Sequence, residues 1–180
     1  MPTLTDEEYA QFKALVDMQA IRDCNMRNSR AMDRMDRELL KTVYWPDAWD
    51  SASIFDGPFP EYEQWVFERL GQMEATHHAV CNIKIDLMGD EAYSESYFIA
   101  HHKIRDEHGE LRDMFASGRY LDHMVKRGGE WRIMHRRRIY DWNINQPSTT
   151  TWDKPPAVDI MERGRRGRED AVYRMKDVLK

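Results

Sequence analysis

THHAVCNIKIDLMGDEAYSESYFIAHHKIR, residues 76–105, decides the fold. In its first run Ala79, Cys81, Ile83, Ile85 and Leu87 alternate with His78, Val80, Asn82, Lys84 and Asp86, and a period of two is that of a strand. Gly89-Asp90-Glu91 turns the chain into a second run from Ala92 to Ile104. His108-Gly109 precedes a third, Leu111 to Val125, and Gly128-Gly129 leads into a fourth, Trp131 to Trp142. Links this short join antiparallel neighbours, so the four runs predict a meander.

Upstream the period is helical. Thr5 is a fitting N-cap for the acidic turn Asp6-Glu7-Glu8. Leu15, Met18, Ile21, Cys24 or Asn25, Asn28 and Met32 then recur at three- to four-residue spacing. A second helix, Arg37 to Val43, stops before Pro46, because the residue preceding a proline disfavours the helical region. A short strand is expected over Asp47 to Phe55. A third helix follows from Glu61 to Met73, with Tyr62, Trp65, Val66 and Leu70 along one side. Helices followed by a curled antiparallel sheet give the α+β class. After Asn143 the composition turns to Pro, Ser, Thr and charge. Residues 1–143 therefore read as one domain, and 144–180 as a polar C-terminal extension. The extension carries a short helix, Arg168 to Leu179, and is expected to pack on the domain or on a neighbouring subunit.

The chain has 180 residues with 27 Lys+Arg against 32 Asp+Glu, a formal charge of −5. That balance argues against a nucleic-acid groove or an anionic membrane as partner. The basic run Arg163 to Arg168 is offset by Asp159, Glu162, Glu169 and Asp170. The opening MPTLTDEEYA lacks a basic start and an apolar stretch, and no apolar run reaches the roughly 20 residues that cross a bilayer, so a cytoplasmic location is expected. Cys24 and Cys81 are isolated and read as reduced core thiols. There is no glycine-rich phosphate loop and no HExxH helix. The pairs His77-His78 and His101-His102 lie on strands, where adjacent residues face opposite ways and cannot chelate together. Neither a metal nor an organic cofactor is expected.

The order helix, AMDRMD, short helix, YWPDA, helix, THHAVCNIKI, GDEAYSESYFIAHH, SGRYLDHMVKRGGEWRIMHRR and DW resembles the SnoaL-like branch of the nuclear transport factor 2-like superfamily, over about residues 10 to 143. The resemblance implies a cone-shaped α+β barrel, a curved antiparallel sheet covered by N-terminal helices around a deep apolar pocket. Enzymes on this fold include scytalone dehydratase, a hexachlorocyclohexane dehydrochlorinase, bile-acid 7α-dehydratase, polyketide cyclases and a diarylpropane lyase. Several of them use a histidine–aspartate dyad without a cofactor. Other members are non-catalytic. Family members are often trimers or dimers, so a homo-oligomer is expected.

Carried over, the dyad falls on Asp33 and His78. An imidazole accepts a proton near neutral pH, and a carboxylate fixes its tautomer and stabilises the imidazolium. His78 shares a strand face with Asn82, in the order the family shows. His102 is preferred over His101 as an orienting donor or second acid. Where the bile-acid dehydratase has a tyrosine five residues before its aspartate, this chain has Asn28, which cannot supply a phenol's proton. Tyr44, Tyr97 or His102 is then the acid, unless the leaving group needs none. Arg136 is expected to polarise a leaving or accumulating oxygen, with Arg138 on the same face. Tyr44, Trp49, Phe55 and Tyr97 complete the expected substrate contacts.

The function these residues point to is elimination on a small hydrophobic, aromatic molecule, by water loss or aldehyde-releasing C–C cleavage. An isomerase or cyclase using the same pocket, and a non-catalytic ligand-binding or assembly subunit, are the alternatives.

Overall fold

The computed structural model describes residues 4–179. Helix α1 (Asp6–Asp33) opens with a reciprocal box. The Thr5 hydroxyl accepts from the Glu8 N–H at 3.2 Å, and the Glu8 carboxylate accepts from the Thr5 N–H at 2.8 Å. The expected stripe is buried only in the second half of the helix: Ile21, Cys24, Asn25, Asn28 and Met32 are covered, whereas Leu15 is exposed. At 28 residues, about 42 Å, the helix outruns its packing, and every position before Ala14 is open to solvent.

α1 stops sharply. Met35 is left-handed at φ 53°, its N–H reaches the Met32 carbonyl at 3.3 Å, and the Asp36 N–H reaches the Ala31 carbonyl at 2.8 Å. These two bonds make the left-handed helix stop usually built on glycine. A side chain there costs roughly 1 kcal/mol, which Met35 offsets by packing on the core.

The chain continues through α2 (Arg37–Leu40), β1 (Tyr44–Ala52), β2 (Phe55–Pro58), α3 (Phe59–Gly71), β3 (Ala75–Met88), β4 (Glu91–Arg105), β5 (Leu111–Arg127) and β6 (Glu130–Pro147). The meander from β3 to β6 is as read from the turns. The elements before it differ: α2 ends at Leu40, not Val43, and two strands precede Thr76, not one. Strand β1 begins before Pro46, which sits in an irregular stretch between Tyr44↔Ile133 and Trp49↔His135, where its missing N–H leaves no ladder bond unmade.

The sheet order is β2-β1-β6-β5-β4-β3, and β1 runs parallel to β6. The sheet is therefore curved, mixed and open; the expected α+β arrangement of helices over a curved sheet is present, and the parallel β1–β6 pair is its one departure from antiparallel order. A parallel partner brought in from far along the chain leaves no turn to read.

Three bulges curl the sheet. Cys81 and Asn82 of β3 oppose Tyr97 alone, Asp141 of β6 is extra between Gly118↔Tyr140 and Ser117↔Trp142, and Met134 is extra between Met124↔Ile133 and His123↔His135. Each adds local twist and bend. The first leaves Cys81 exposed, not in the core.

α1, α2, α3 and β1 pack onto one end of the curved face, around Ile21, Leu40, Tyr44, Tyr62, Phe67 and Trp131. A separate small cluster, Phe98, Ala100 and Tyr120, lies further along the same face. After β6 the segment holds short turns, α4 (Ala157–Ile160), a 3₁₀ turn Ala171–Arg174 and α5 (Met175–Val178), in place of one helix from Arg168. Among the described residues no helix is long and apolar enough to cross a membrane.

Gly118 pairs with Tyr140 beside the β6 bulge, and a Cβ there would lie 2.0 Å from the Ile139 carbonyl oxygen and 3.0 Å from the Phe98 ring. Gly118→Ala is expected to destabilise the fold by about 2–4 kcal/mol, read as a lower urea midpoint with an unchanged slope.

Candidate active site

Asp33 closes the last turn of α1 and His78 lies on the edge strand β3. One carboxylate oxygen accepts from the His78 backbone N–H at 2.8 Å, and the other lies 2.7 Å from the ring Nδ1. The helix end thus satisfies an N–H that an edge strand would otherwise leave unpaired. Because a carboxylate only accepts, the ring proton belongs on Nδ1, and Nε2 keeps its lone pair. Both side chains are more than nine-tenths buried. Burial pushes the Asp33 carboxyl upward, but the ring and backbone bonds from His78 and its charge outweigh that, so Asp33 stays below the usual carboxylate value.

His78 Nε2 faces His102 Nε2 at 3.4 Å, and the rings meet edge to face. His102 is pushed down to about 4, first by burial and then by His78. It is neutral at physiological pH. His77 and His101 pair on the opposite face of the sheet, their ring centroids 6.3 Å apart.

His78 and His102 open onto a cavity of about 510 Å³ between α3 and the sheet, within the roughly 300–1,000 Å³ range of small-molecule sites. Its apolar walls include Met32, Val66, Phe98, Ala100, Met114 and Ala116, while Ile54, Tyr140 and Trp142 lie on its exposed rim. Arg136 and Arg138 both face it. Arg136 is almost fully buried, donating twice to Asp122 at 2.7 and 2.8 Å and once to Asn25 at 2.7 Å. Arg138 pairs with Asp50, which also accepts from Tyr44 at 2.9 Å.

Of the residues expected here, Asp33, His78, His102 and Arg136 are brought to this region, and five are not. Tyr44 is buried behind the wall, stacked on Phe59. The Trp49 indole turns to Asp56 at 2.7 Å, and Phe55 packs on Tyr62 and Trp65. Asn82 falls in the β3 bulge and is exposed, because the extra residue breaks the parity that tied it to His78. Tyr97, one residue from Phe98, lies on the outer face. Tyr62, Trp65, Tyr120, Tyr140 and Trp142 were missed. The parity of β5 and β6 would have found Tyr120 and Tyr140, which share inward faces with Asp122, Arg136 and Arg138.

The segment after β6 covers the outside of the Asp33 turn. The Gly167 N–H reaches the Arg34 carbonyl at 2.7 Å, Arg34 donates to Asp170 at 2.8 Å and to the Arg165 carbonyl at 2.9 Å, and the Tyr173 hydroxyl donates to Asp36 at 2.7 Å. The Arg34 carbonyl, left open by the end of α1, is closed in this way.

A histidine that titrates near 6.5 when unfolded but near 4 when folded binds its proton more readily in the unfolded chain. Its contribution is complete above pH 6.5 and is lost as the pH falls toward 4, at most about 3 kcal/mol. Asp33, held below its usual value, loses its share only at lower pH. Chemical unfolding followed between pH 7 and 4 is expected to show this fall in wild type and a flatter profile in His102→Gln.

Residues 13–137 match the SnoaL-like domain family. No curated protein matches the chain. Among solved structures, a candidate scytalone dehydratase from Novosphingobium aromaticivorans is 24% identical, with TM-score 0.66, covering 87% of this chain and 96% of its own. A type 2 hexachlorocyclohexane dehydrochlorinase is 16% identical, with TM-score 0.69, covering 81% and 99%. The Kfla4162 protein of Kribbella flavida is 18% identical, with TM-score 0.67, covering 73% and 95%. At these identities the structures speak to the fold, and they share it. With its family match spanning more than half of its length, this chain belongs to the SnoaL-like domain family.

Proposed function

We propose that this protein is a cofactor-independent lyase in which His78, oriented by Asp33, removes a proton from a small hydrophobic, aromatic substrate and a leaving group departs. The observation that carries this reading is the Asp33–His78 contact at the wall of an apolar cavity. Nε2 of His78 accepts the proton, and the Asp33 carboxylate stabilises the imidazolium more strongly than it could in water.

In the dehydrating version the C–H electron pair becomes the new double bond, the C–O pair leaves with the hydroxyl oxygen, and that oxygen takes up a proton to depart as water. In the cleaving version the proton comes from a hydroxyl whose oxygen becomes the aldehyde carbonyl, and the fragment that keeps the C–C electrons takes up a proton. Of the acids considered, Tyr44 is tied to Asp50 and Tyr97 faces outward. His102 remains, close enough to hand a proton on from His78. Arg136 supplies positive potential at the deep wall, tempered by Asp122.

The relatives named as a dehydratase and a dehydrochlorinase agree with elimination. Exposed Tyr93, Tyr97, Ile99 and Leu121 on the outer sheet face support the expectation of a dimer or trimer.

The reading is tested on a panel of lignin-derived diols, hydroxylated steroids and polyketide phenols. His78→Ala and Asp33→Asn are each expected to lower kcat/KM at least about 100-fold on whichever member wild type turns over. Activity retained in both variants would overturn the assignment.

A further inference from the structure

Arg166 lies beyond the family-matched span of residues 13–137, yet its side chain is half-buried at the end of α3, where the charge of Asp33 reaches it. Its Nη1 donates to the Leu70 carbonyl at 2.9 Å, in the last turn of that helix. From there the chain passes through Glu74, whose N–H reaches the Lys103 carbonyl at 2.8 Å, to Thr76, which faces His102 across β3 and β4. His102 in turn feels the charge of Arg166.

Three polar atoms of these residues are buried and have no hydrogen-bond partner among the described residues: Arg166 Nη2, Thr76 Oγ1 and His102 Nδ1. A buried polar atom left unpaired is costly, so each requires a partner. What each can accept or donate follows from the dyad. Asp33 draws the ring proton of His78 to Nδ1, so His78 Nε2 presents a lone pair. Neutral His102 carries one ring proton, and its Nε2 lies 3.4 Å from that lone pair. The proton belongs there, because two facing lone pairs would repel, and His102 Nδ1 is then an acceptor. Arg166 Nη2 only donates. Thr76 Oγ1 lies close enough to Asp33 to help hold that carboxyl low. Its proton turns to the carboxylate, and a lone pair is left to accept. One water satisfies all three groups, accepting from Arg166 and donating to His102 and Thr76, which makes about the three bonds typical of a buried water.

We propose that Arg166 acts on His102 Nδ1 through one water shared with Thr76 and so fixes His102 as the Nε2–H tautomer, a hydrogen-bond donor toward His78 and the cavity. Arg166 is a positioning residue, acting through His102. It does for His102 what Asp33 does for His78, with the opposite sign: a carboxylate pulls the proton to the near nitrogen, and a guanidinium drives it to the far one. The two rings then present one acceptor and one donor to the same end of the cavity, a pair that holds a substrate hydroxyl by both its hydrogen and its oxygen. This deepens the proposed function and rests on it only for what the donor serves. The tautomer itself does not depend on turnover.

The test is two-bond proton–nitrogen correlation NMR at neutral pH on protein labelled with nitrogen-15 in its histidine rings. His102 is assigned by the signals missing from His102→Gln. Wild type is expected to show a protonated Nε2 on His102 and a protonated Nδ1 on His78. Arg166→Met is expected to lower the ratio of Nε2–H to Nδ1–H on His102 at least about tenfold, the effect of losing a charge-assisted hydrogen bond. Tyr173→Phe loosens the same segment by removing its bond to Asp36, and is expected to leave the ratio unchanged. Should Arg166→Met fail to fold, Thr76→Val removes another partner of the same water and is expected to move the ratio in the same direction. A protonated Nδ1 on His102 in wild type, a ratio unmoved in the folded Arg166→Met or Thr76→Val, or an equal shift in Tyr173→Phe would overturn the proposal. Turnover that survives His78→Ala and Asp33→Asn refutes the catalytic dyad alone and leaves the tautomer of His102 standing.

Discussion

Both oxygens of the Asp33 carboxylate grip His78, one on the backbone and one on the ring. That clamp joins the end of the longest helix to the open edge of the sheet, and the geometry around the cavity depends on it. It fixes the strand at one end of the hydrogen-bonded order, where β3 has only β4 as a strand neighbour. It also sets the imidazole's tautomer and rotamer at once. The helix must end within a residue of Asp33 for this to work, and the left-handed turn at Met35 makes it do so. The later segment then seals the same turn from outside through Gly167, Asp170 and Tyr173.

The interior divides into a part that holds the molecule together and a part left open for a ligand. Helices α1, α2 and α3 bury their apolar faces against β1 and the near ends of β4, β5 and β6. Further along, the same concave face is lined by Phe98, Ala100, Met114, Ala116 and Tyr120 and by arginines already paired with aspartates. Removing one member of such a buried pair typically costs about 3–5 kcal/mol. The deep wall of the cavity is thereby coupled to stability, and so is its apolar flank, where Met32, Val66 and Leu70 also belong to the core between helices and sheet.

Much of the architecture was written in local pattern. Turn residues between period-two runs announced the β3-to-β6 meander, and Thr5 with Glu8 announced the start of α1. Asp33 and His78 were reached through resemblance, and parity then separated His78 from His77 and favoured His102 over His101. What escaped was non-local. The parallel pairing of β1 with β6 leaves no mark in a turn, and the bulge at Cys81-Asn82 has no glycine to signal it. Proximity in sequence to prolines suggested Trp49 and Phe55 as walls, but Trp49 bonds to Asp56 and Phe55 packs on α3. Tyr62 and Trp65 were visible as an apolar helix face. Which of them would border open space depended on the curvature of a sheet that the helix does not encode.

The bulge in β3 also reconciles two demands that strict alternation sets against each other. Ile85 and Leu87 pack toward the core, and by simple parity His78 would then face solvent. The extra residue shifts the phase, so both His78 and Ile83 look inward. A lineage could therefore gain or lose the histidine's inward view by the insertion or deletion of one residue, leaving every residue type at the site unchanged. In this fold a change in length at residues 81–82, more than any substitution nearby, separates a chain that presents its histidine to the cavity from one that keeps the same sheet and hides it.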